Sequence, residues 1–96
     1  MLKVRWTQPA LLDLLEHITY IAKDSPQAAR DVAQRIWDAT QLIAENPWMG
    51  RTGTKKGTRE WAVKDTRVLM VYRVREETIE LLRLWAGGRD WQNTTA

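Results

Sequence analysis

Apolar and polar residues alternate one for one at the start of the chain. Leu2, Val4 and Trp6 stand between Lys3 and Arg5, the period of a half-buried strand. The period then lengthens. Leu11, Leu14, Leu15, Ile18, Ile21 and Ala22 recur at three- and four-residue steps and predict an amphipathic helix with those residues on its buried stripe. Thr7 is placed to cap it, and Pro9 falls in the first turn, where a missing N–H is harmless. Asp13, Glu16, His17 and Lys23 fall outside the stripe. Asp24-Ser25-Pro26 stops this helix and starts another, with Ser25 as N-cap. Ala29, Val32, Ile36, Ala39, Thr40 and Ile43 form the second stripe, and Asn46-Pro47 ends it because a residue before proline is driven out of the helical region. So short a connection predicts an antiparallel helical hairpin.

Residues 48–57 contain Gly50, Gly53 and Gly57 with basic Arg51, Lys55 and Lys56. They predict a mobile connector or an unstructured basic contact arm. The spacing lacks the G-x-x-x-x-G-K-[ST] of a phosphate loop, which argues against a nucleotide site.

From Arg59 the period returns to two. Trp61 and Val63 share a face, and Asp65-Thr66 predicts a turn. Val68, Met70, Tyr72 and Val74 then face one way, and Leu69, Val71, Arg73 and Arg75 the other. After a turn at Glu76-Glu77, Ile79, Leu81, Arg83 and Trp85 alternate with Glu80, Leu82, Leu84 and Ala86. Gly87-Gly88 stops pairing, Trp91 is expected to pin a short tail onto the body, and residues 92–96 to fray. The pattern predicts an α+β domain over residues 1–91, in the order β-α-α-β-β-β, with a helical hairpin packed on a small, mainly antiparallel sheet. Which strand the first one joins is not readable from periodicity.

Composition sharpens this in two places. The 96 residues include no cysteine, which removes disulfides, thiolate metal sites and a cysteine nucleophile, and suits a reducing cytoplasm. The first six residues are too short and too charged for a secretory leader, and no apolar run approaches a membrane span. The net charge of +3 is unevenly spread. Residues 1–48 carry five basic against six acidic side chains, and residues 49–96 carry ten against six. The basic half suits an anionic partner, either nucleic acid or an acidic protein segment.

Candidate catalytic groups are few. The one serine, Ser25, is assigned to a helix cap, and the one histidine, His17, lies on the polar side of its helix with no second ligand. No clustered carboxylates suggest a metal site, and no cofactor is expected. The remaining set of Arg, Lys, Tyr and Glu is able to cleave RNA without a metal, because the substrate's 2′-hydroxyl supplies the nucleophile and cations stabilise the phosphorane. The same set binds acidic segments with no chemistry. Of the six tryptophans, Trp6, Trp61 and Trp85 fall at apolar strand positions. Trp37 and Trp48 flank the helical stripe as exposed anchors. Tyr72 falls on the apolar face of the middle strand and reads as core.

Taken together, a series of short motifs resembles the RelE/ParE superfamily of bacterial type II toxins, and its ParE branch more closely. They are Val4-Arg5-Trp6-Thr7 with Pro9, Tyr20-Ile21-Ala22, Ser25-Pro26-Gln27-Ala28-Ala29, and Asn46-Pro47 with Met49-Gly50-Arg51. Gly57-Thr58-Arg59-Glu60, Val71-Tyr72-Arg73-Val74, Thr78-Ile79-Glu80-Leu81-Leu82-Arg83, and Gly87 with Arg89-Asp90-Trp91 complete the series. Each is weak alone; their order and spacing are specific. The resemblance implies a cognate antitoxin, usually ParD-like, whose acidic amphipathic C-terminal segment wraps the toxin, with operator DNA bound only through the antitoxin.

RelE-like members of the superfamily cleave mRNA on the ribosome, whereas ParE-like members poison DNA gyrase. Nuclease members often carry Arg three residues before the strand tyrosine and a His or Tyr near the end of the chain. Here those positions hold Leu69 and Ala86. The resemblance therefore points to a gyrase-directed toxin with no catalytic residue of its own. Arg59, Lys64, Arg67, Arg73, Arg83, Arg89 and Trp91 are expected to bind target or antitoxin. The alternatives are a ribosome-dependent endonuclease using Arg59, Lys64 and Arg67, and a degenerate toxin kept as a binding module.

Overall fold

Strand β1 (Lys3–Trp6) leads into helix α1 (Gln8–Asp24), and helix α2 (Pro26–Glu45) follows at once. The computed structural model describes residues 1–87. Both helix starts are set locally. The Thr7 hydroxyl accepts from the Ala10 N–H, and the Ser25 hydroxyl accepts from Ala28 N–H at 3.1 Å. Ser25 serves both helices, since its own N–H donates to the Ile21 carbonyl at 3.0 Å and closes α1. With one residue shared between them, the helices reverse on each other as a hairpin.

Four further strands follow among the described residues: β2 (Arg51–Thr52), β3 (Arg59–Ala62), β4 (Val68–Arg75) and β5 (Thr78–Ala86). They form one sheet in the order β1-β5-β4-β3-β2, in which only the β1–β5 pairing is parallel. The first strand thus joins the last. Thr7 fastens that junction, donating both its N–H (3.1 Å) and its hydroxyl (2.7 Å) to the Leu81 carbonyl. Ala10, Ile36, Ala39 and Ile43 meet Val68, Met70, Tyr72, Ile79, Leu81 and Leu84 in a single core. Among the described residues no element covers the opposite face of the sheet.

Three expectations are corrected. Residues 48–57 are not wholly a free connector, because Arg51 and Thr52 pair with Glu60 and Arg59 and add a fifth strand. The α1 stripe is narrower than its periodicity implied: Ala10 is buried and Leu14 packs on the core, while Leu11 and Leu15 stay exposed. One turn of the helix is turned toward β5 by polar contacts rather than by leucines, which accounts for the rotation. Strand β5 also does not alternate evenly. Val71 is opposite Arg83 and Tyr72 opposite Leu81, so Leu82 is an extra residue in a bulge. The bulge reverses the phase, putting Leu84 rather than Arg83 and Trp85 in the core.

Candidate target-recognition surface

Tyr72 sits at the centre of a latch. Its ring is fully buried, its hydroxyl donates to the Pro47 carbonyl at 2.9 Å, and it accepts the Gly50 N–H at 3.0 Å. Burial raises the phenol's pKa above its ordinary value, against smaller opposing effects from the Gly50 N–H and the Arg59 charge. Arg59 closes the latch from the neighbouring strand. Its guanidinium donates to the carbonyls of Trp48 (3.2 Å) and Gly50 (2.7 Å) and stacks 5.0 Å from the centre of the Trp48 ring. Trp48 is thereby held in place while 64% exposed.

The face of the sheet opposite the helices carries two ion-pair groups. Glu80 lies between Arg5 and Arg73, both hydrogen-bonded to it. Hydrogen bonds from Arg5 and then Arg73 hold its carboxyl at a pKa of about 2, below the ordinary 4.5. Further along, buried Glu60 accepts from Arg51 Nε (3.2 Å) and a terminal nitrogen (3.1 Å). A carboxyl whose pKa is depressed on folding stabilises the fold above its unfolded pKa, and that contribution fades as pH falls from about 4.5 toward 2. Thermal melts from pH 6 to pH 2 are expected to show wild type ahead of Glu80→Gln near neutrality. The gap should close across that acid window. A constant gap would contradict the pairing.

The third polar group lies at the sheet edge. β1 flanks β5 only from Thr78 to Leu81, and beyond it α1 takes over as neighbour. Asp13 accepts from Arg83 Nε at 2.8 Å and a terminal nitrogen at 3.1 Å, and also from the Leu84 N–H at 3.0 Å. The hydrogen bond that Arg83 donates to Asp13 raises the Arg83 pKa above its ordinary value. Arg83 also stacks 5.5 Å from the Trp85 ring. Between α1 and this edge runs a groove of about 360 Å³, lined by Asp13, Glu16, His17, Tyr20, Leu84, Ala86 and Gly87. His17 therefore faces the groove and is half-buried, not simply on a polar surface.

Against this geometry the family model of the ParE toxin of the type II toxin–antitoxin system parDE matches residues 4–91. The chain belongs to the ParE toxin family. Among relatives of this ParE-family toxin, Y4kP of Sinorhizobium fredii, a protein assigned as a toxin, is 38% identical over 89 residues, covering 93% of this chain and 92% of the relative. Toxin RelE2 of Caulobacter vibrioides is 36% identical over 84 residues, covering 88% and 93%. The fold is similar to that in a chromosomal ParDE system from P. aeruginosa, with a TM-score of 0.77 and 24% identity over 90% of this chain and 96% of that one. A copper-bound mutant toxin from Helicobacter pylori aligns with a TM-score of 0.64 and 20% identity, over 91% and 96%.

The candidate residues of this ParE-family toxin separate by what their charges touch. Arg59, Arg73 and Arg83 are engaged inside the molecule, by the loop carbonyls, Glu80 and Asp13 respectively. Lys64 and Arg67, at either end of the β3–β4 turn, are exposed and make no ion pair among the described residues. Arg89 and Trp91 lie outside the described residues, as do the expected tail contact and the frayed end. Asp13, Glu60 and Glu80 were not anticipated as anchors. Glu80 was within reach: counting outward from the Glu76-Glu77 turn puts it opposite Arg73. Asp13 gave no such signal, because its role depends on where β1 ends.

Among the described residues no three His, Cys, Asp or Glu side chains converge as a metal site, and no helix is long and apolar enough to cross a membrane.

Proposed function

We propose that this type II toxin acts in the cytoplasm by inhibiting DNA gyrase, and that a ParD-like antitoxin neutralises it. The reading rests on the match to the ParE family over residues 4–91, and one observation of geometry carries the mechanism. The tyrosine that a sheet-based nuclease would use is inaccessible: Tyr72 is buried, with its proton committed to Pro47 and its oxygen to Gly50. A general acid must reach the reacting atoms within hydrogen-bond distance, and this phenol does not. Leu69 and Ala86 supply neither a cation nor a proton. Inhibition is then a matter of binding, with strand breakage left to the target enzyme.

An antitoxin segment that is acidic and amphipathic suits the two kinds of surface the toxin offers. Leu12, Leu15, Tyr20, Trp37 and Trp48 are large apolar side chains exposed on the helical hairpin and the loop after it. The second half of the chain supplies the excess positive charge. Operator DNA is reached through the antitoxin.

A RelE-like reading is favoured by one observation, the likeness to toxin RelE2. Arg59, Lys64 and Arg67 would then contact message on the ribosome. Two assays on one toxin preparation separate the readings. Relaxed plasmid with gyrase and ATP is expected to be supercoiled more slowly when toxin is added, and a translation extract probed by primer extension is expected to show no new message ends. Cut message alongside normal gyrase turnover would overturn the proposal.

A further inference from the structure

Residues 46–59 hold four basic side chains, Arg51, Lys55, Lys56 and Arg59, and no acidic one. The carboxylates beside them are Glu45, exposed at the end of α2, and Glu60, which is buried and already takes Arg51. The fold makes this stretch an ordered hairpin rather than a loose arm. The Gly53 N–H donates to the Thr58 carbonyl at 2.8 Å, and the Thr58 N–H and hydroxyl both donate to the Lys55 carbonyl, at 3.1 and 2.6 Å. Gly57 turns the tip at a φ of +82°, and a Cβ there would meet nothing within 4 Å. Lys55 and Lys56 are exposed at that tip, and Trp48 stands at the root of the hairpin, 64% exposed.

We infer that this hairpin and Trp48 bind a DNA strand with accessible bases, one base stacking on the indole and the phosphates lying along the hairpin. The inference rests on the gyrase reading only for where the toxin meets such a strand. Stacking is strongest on a ring that need not be ordered on binding. The Tyr72 latch and Arg59 supply such a ring, because they fix the backbone on both sides of Trp48. Arg59 lies 5.0 Å from the centre of the indole, and the exposed remainder is left for a base. Phosphates are held by Arg and Lys, by hydroxyls and by backbone. The hairpin presents all three: Arg51, Lys55 and Lys56, then Thr52 and Thr54, and the uncrowded backbone at Gly57.

The apolar content separates this partner from an acidic protein segment. An amphipathic helix docks through a row of apolar anchors. Here Met49 packs against the core, which leaves Trp48 as the one large apolar side chain exposed in residues 46–59. A single planar ring set among cations fits the alternation of base and phosphate instead. Binding of this kind is indifferent to base sequence, so operator recognition stays with the antitoxin.

Fluorescence anisotropy of a labelled oligothymidylate of about twenty nucleotides, with no gyrase present, tests the hairpin separately from the target. The full chain is expected to bind it, with log affinity falling against log salt at a slope of about −2, for three phosphate contacts at about 0.7 each. Trp48→Ala is expected to weaken binding about tenfold with that slope unchanged. Trp48→Phe should recover most of the loss and Trp48→Leu should not. Lys55→Gln/Lys56→Gln should flatten the slope by about 1.4, while Lys3→Gln/Lys23→Gln, the same loss of charge elsewhere, leaves it unchanged. No binding at about 50 mM salt would overturn the inference. So would equal binding by Trp48→Phe and Trp48→Leu, or an equal effect of the two lysine pairs. An oligouridylate of the same length bound tenfold tighter would overturn it in favour of message. Should Trp48→Ala melt early, the lysine pairs decide alone. Inhibition of supercoiling by the same preparation is read separately, so a strand that fails to bind leaves the gyrase reading standing.

Discussion

Tyr72→Ala is expected to lower the unfolding free energy by about 3–5 kcal/mol, the range for removing a large aromatic side chain from a packed core. Tyr72 is the largest fully buried side chain among the described residues and also ties the loop after α2 to the sheet. Tyr72→Phe separates the two roles. It keeps the ring but leaves the buried Gly50 N–H without its acceptor, at a cost of about 1–3 kcal/mol. Urea unfolding followed by circular dichroism measures both, and a Phe variant as stable as wild type would show that the latch contributes nothing. The close fit is visible at Gly50, where a Cβ would fall 2.5 Å from the Tyr72 oxygen and 3.0 Å from the Glu60 carbonyl oxygen. Backbone on one side and a bonded phenol on the other leave it nowhere to go. The latch therefore fixes Trp48, which Arg59 holds exposed at the surface.

The second large effect concerns binding. If gyrase is the target and the β3–β4 turn meets it, Lys64→Glu/Arg67→Glu is expected to raise the toxin concentration needed for half-inhibition of gyrase at least tenfold, because like charges set against each other across an interface cost several kcal/mol. Stability should change by less than about 1 kcal/mol, as for most exposed substitutions. The matched control is Lys3→Glu/Lys23→Glu, which makes the same change of charge on β1 and α1. Equal loss in both pairs would mean that net charge, not the β3–β4 turn, governs the interaction. Arg73 and Arg83 are poor choices for such a test. Reversing either sets a carboxylate against Glu80 or Asp13 and damages the fold before it reports on a partner.

The helices, their shared cap and the α+β arrangement were legible in the sequence because each is written locally, in capping residues, proline positions and hydrophobic period. The β4–β5 hairpin was legible for the same reason. Three features were not, and all depend on distant residues. The parallel pairing of β1 with β5 joins residues more than seventy positions apart. The bulge at Leu82 shifts the alternation without leaving a glycine or proline to mark it. Arg51–Thr52 becomes a strand because Arg59 and Tyr72 draw the loop against β3, not because two residues have strand propensity.

The sequence showed a concentration of charge but not its division of labour. Counting arginines marked the basic half of the chain, and the composition gave no means of telling an arginine tied up inside the fold from one left at the surface. That distinction needed Glu80, Asp13 and the carbonyls of Trp48 and Gly50, each placed by the folded structure. The apolar surface of α1 was also hidden in its own periodicity, because leucines at helical spacing read as core whether or not anything packs on them.

If the toxin recognises gyrase and performs no chemistry of its own, one direct demand on experiment follows. Supercoiled plasmid, gyrase and ATP are incubated with the purified toxin, then treated with detergent and protease to reveal DNA held open by the enzyme. The account predicts linear plasmid that accumulates with toxin, needs gyrase, and disappears when the antitoxin is added first. Plasmid that stays intact at toxin concentrations sufficient to arrest growth would contradict it.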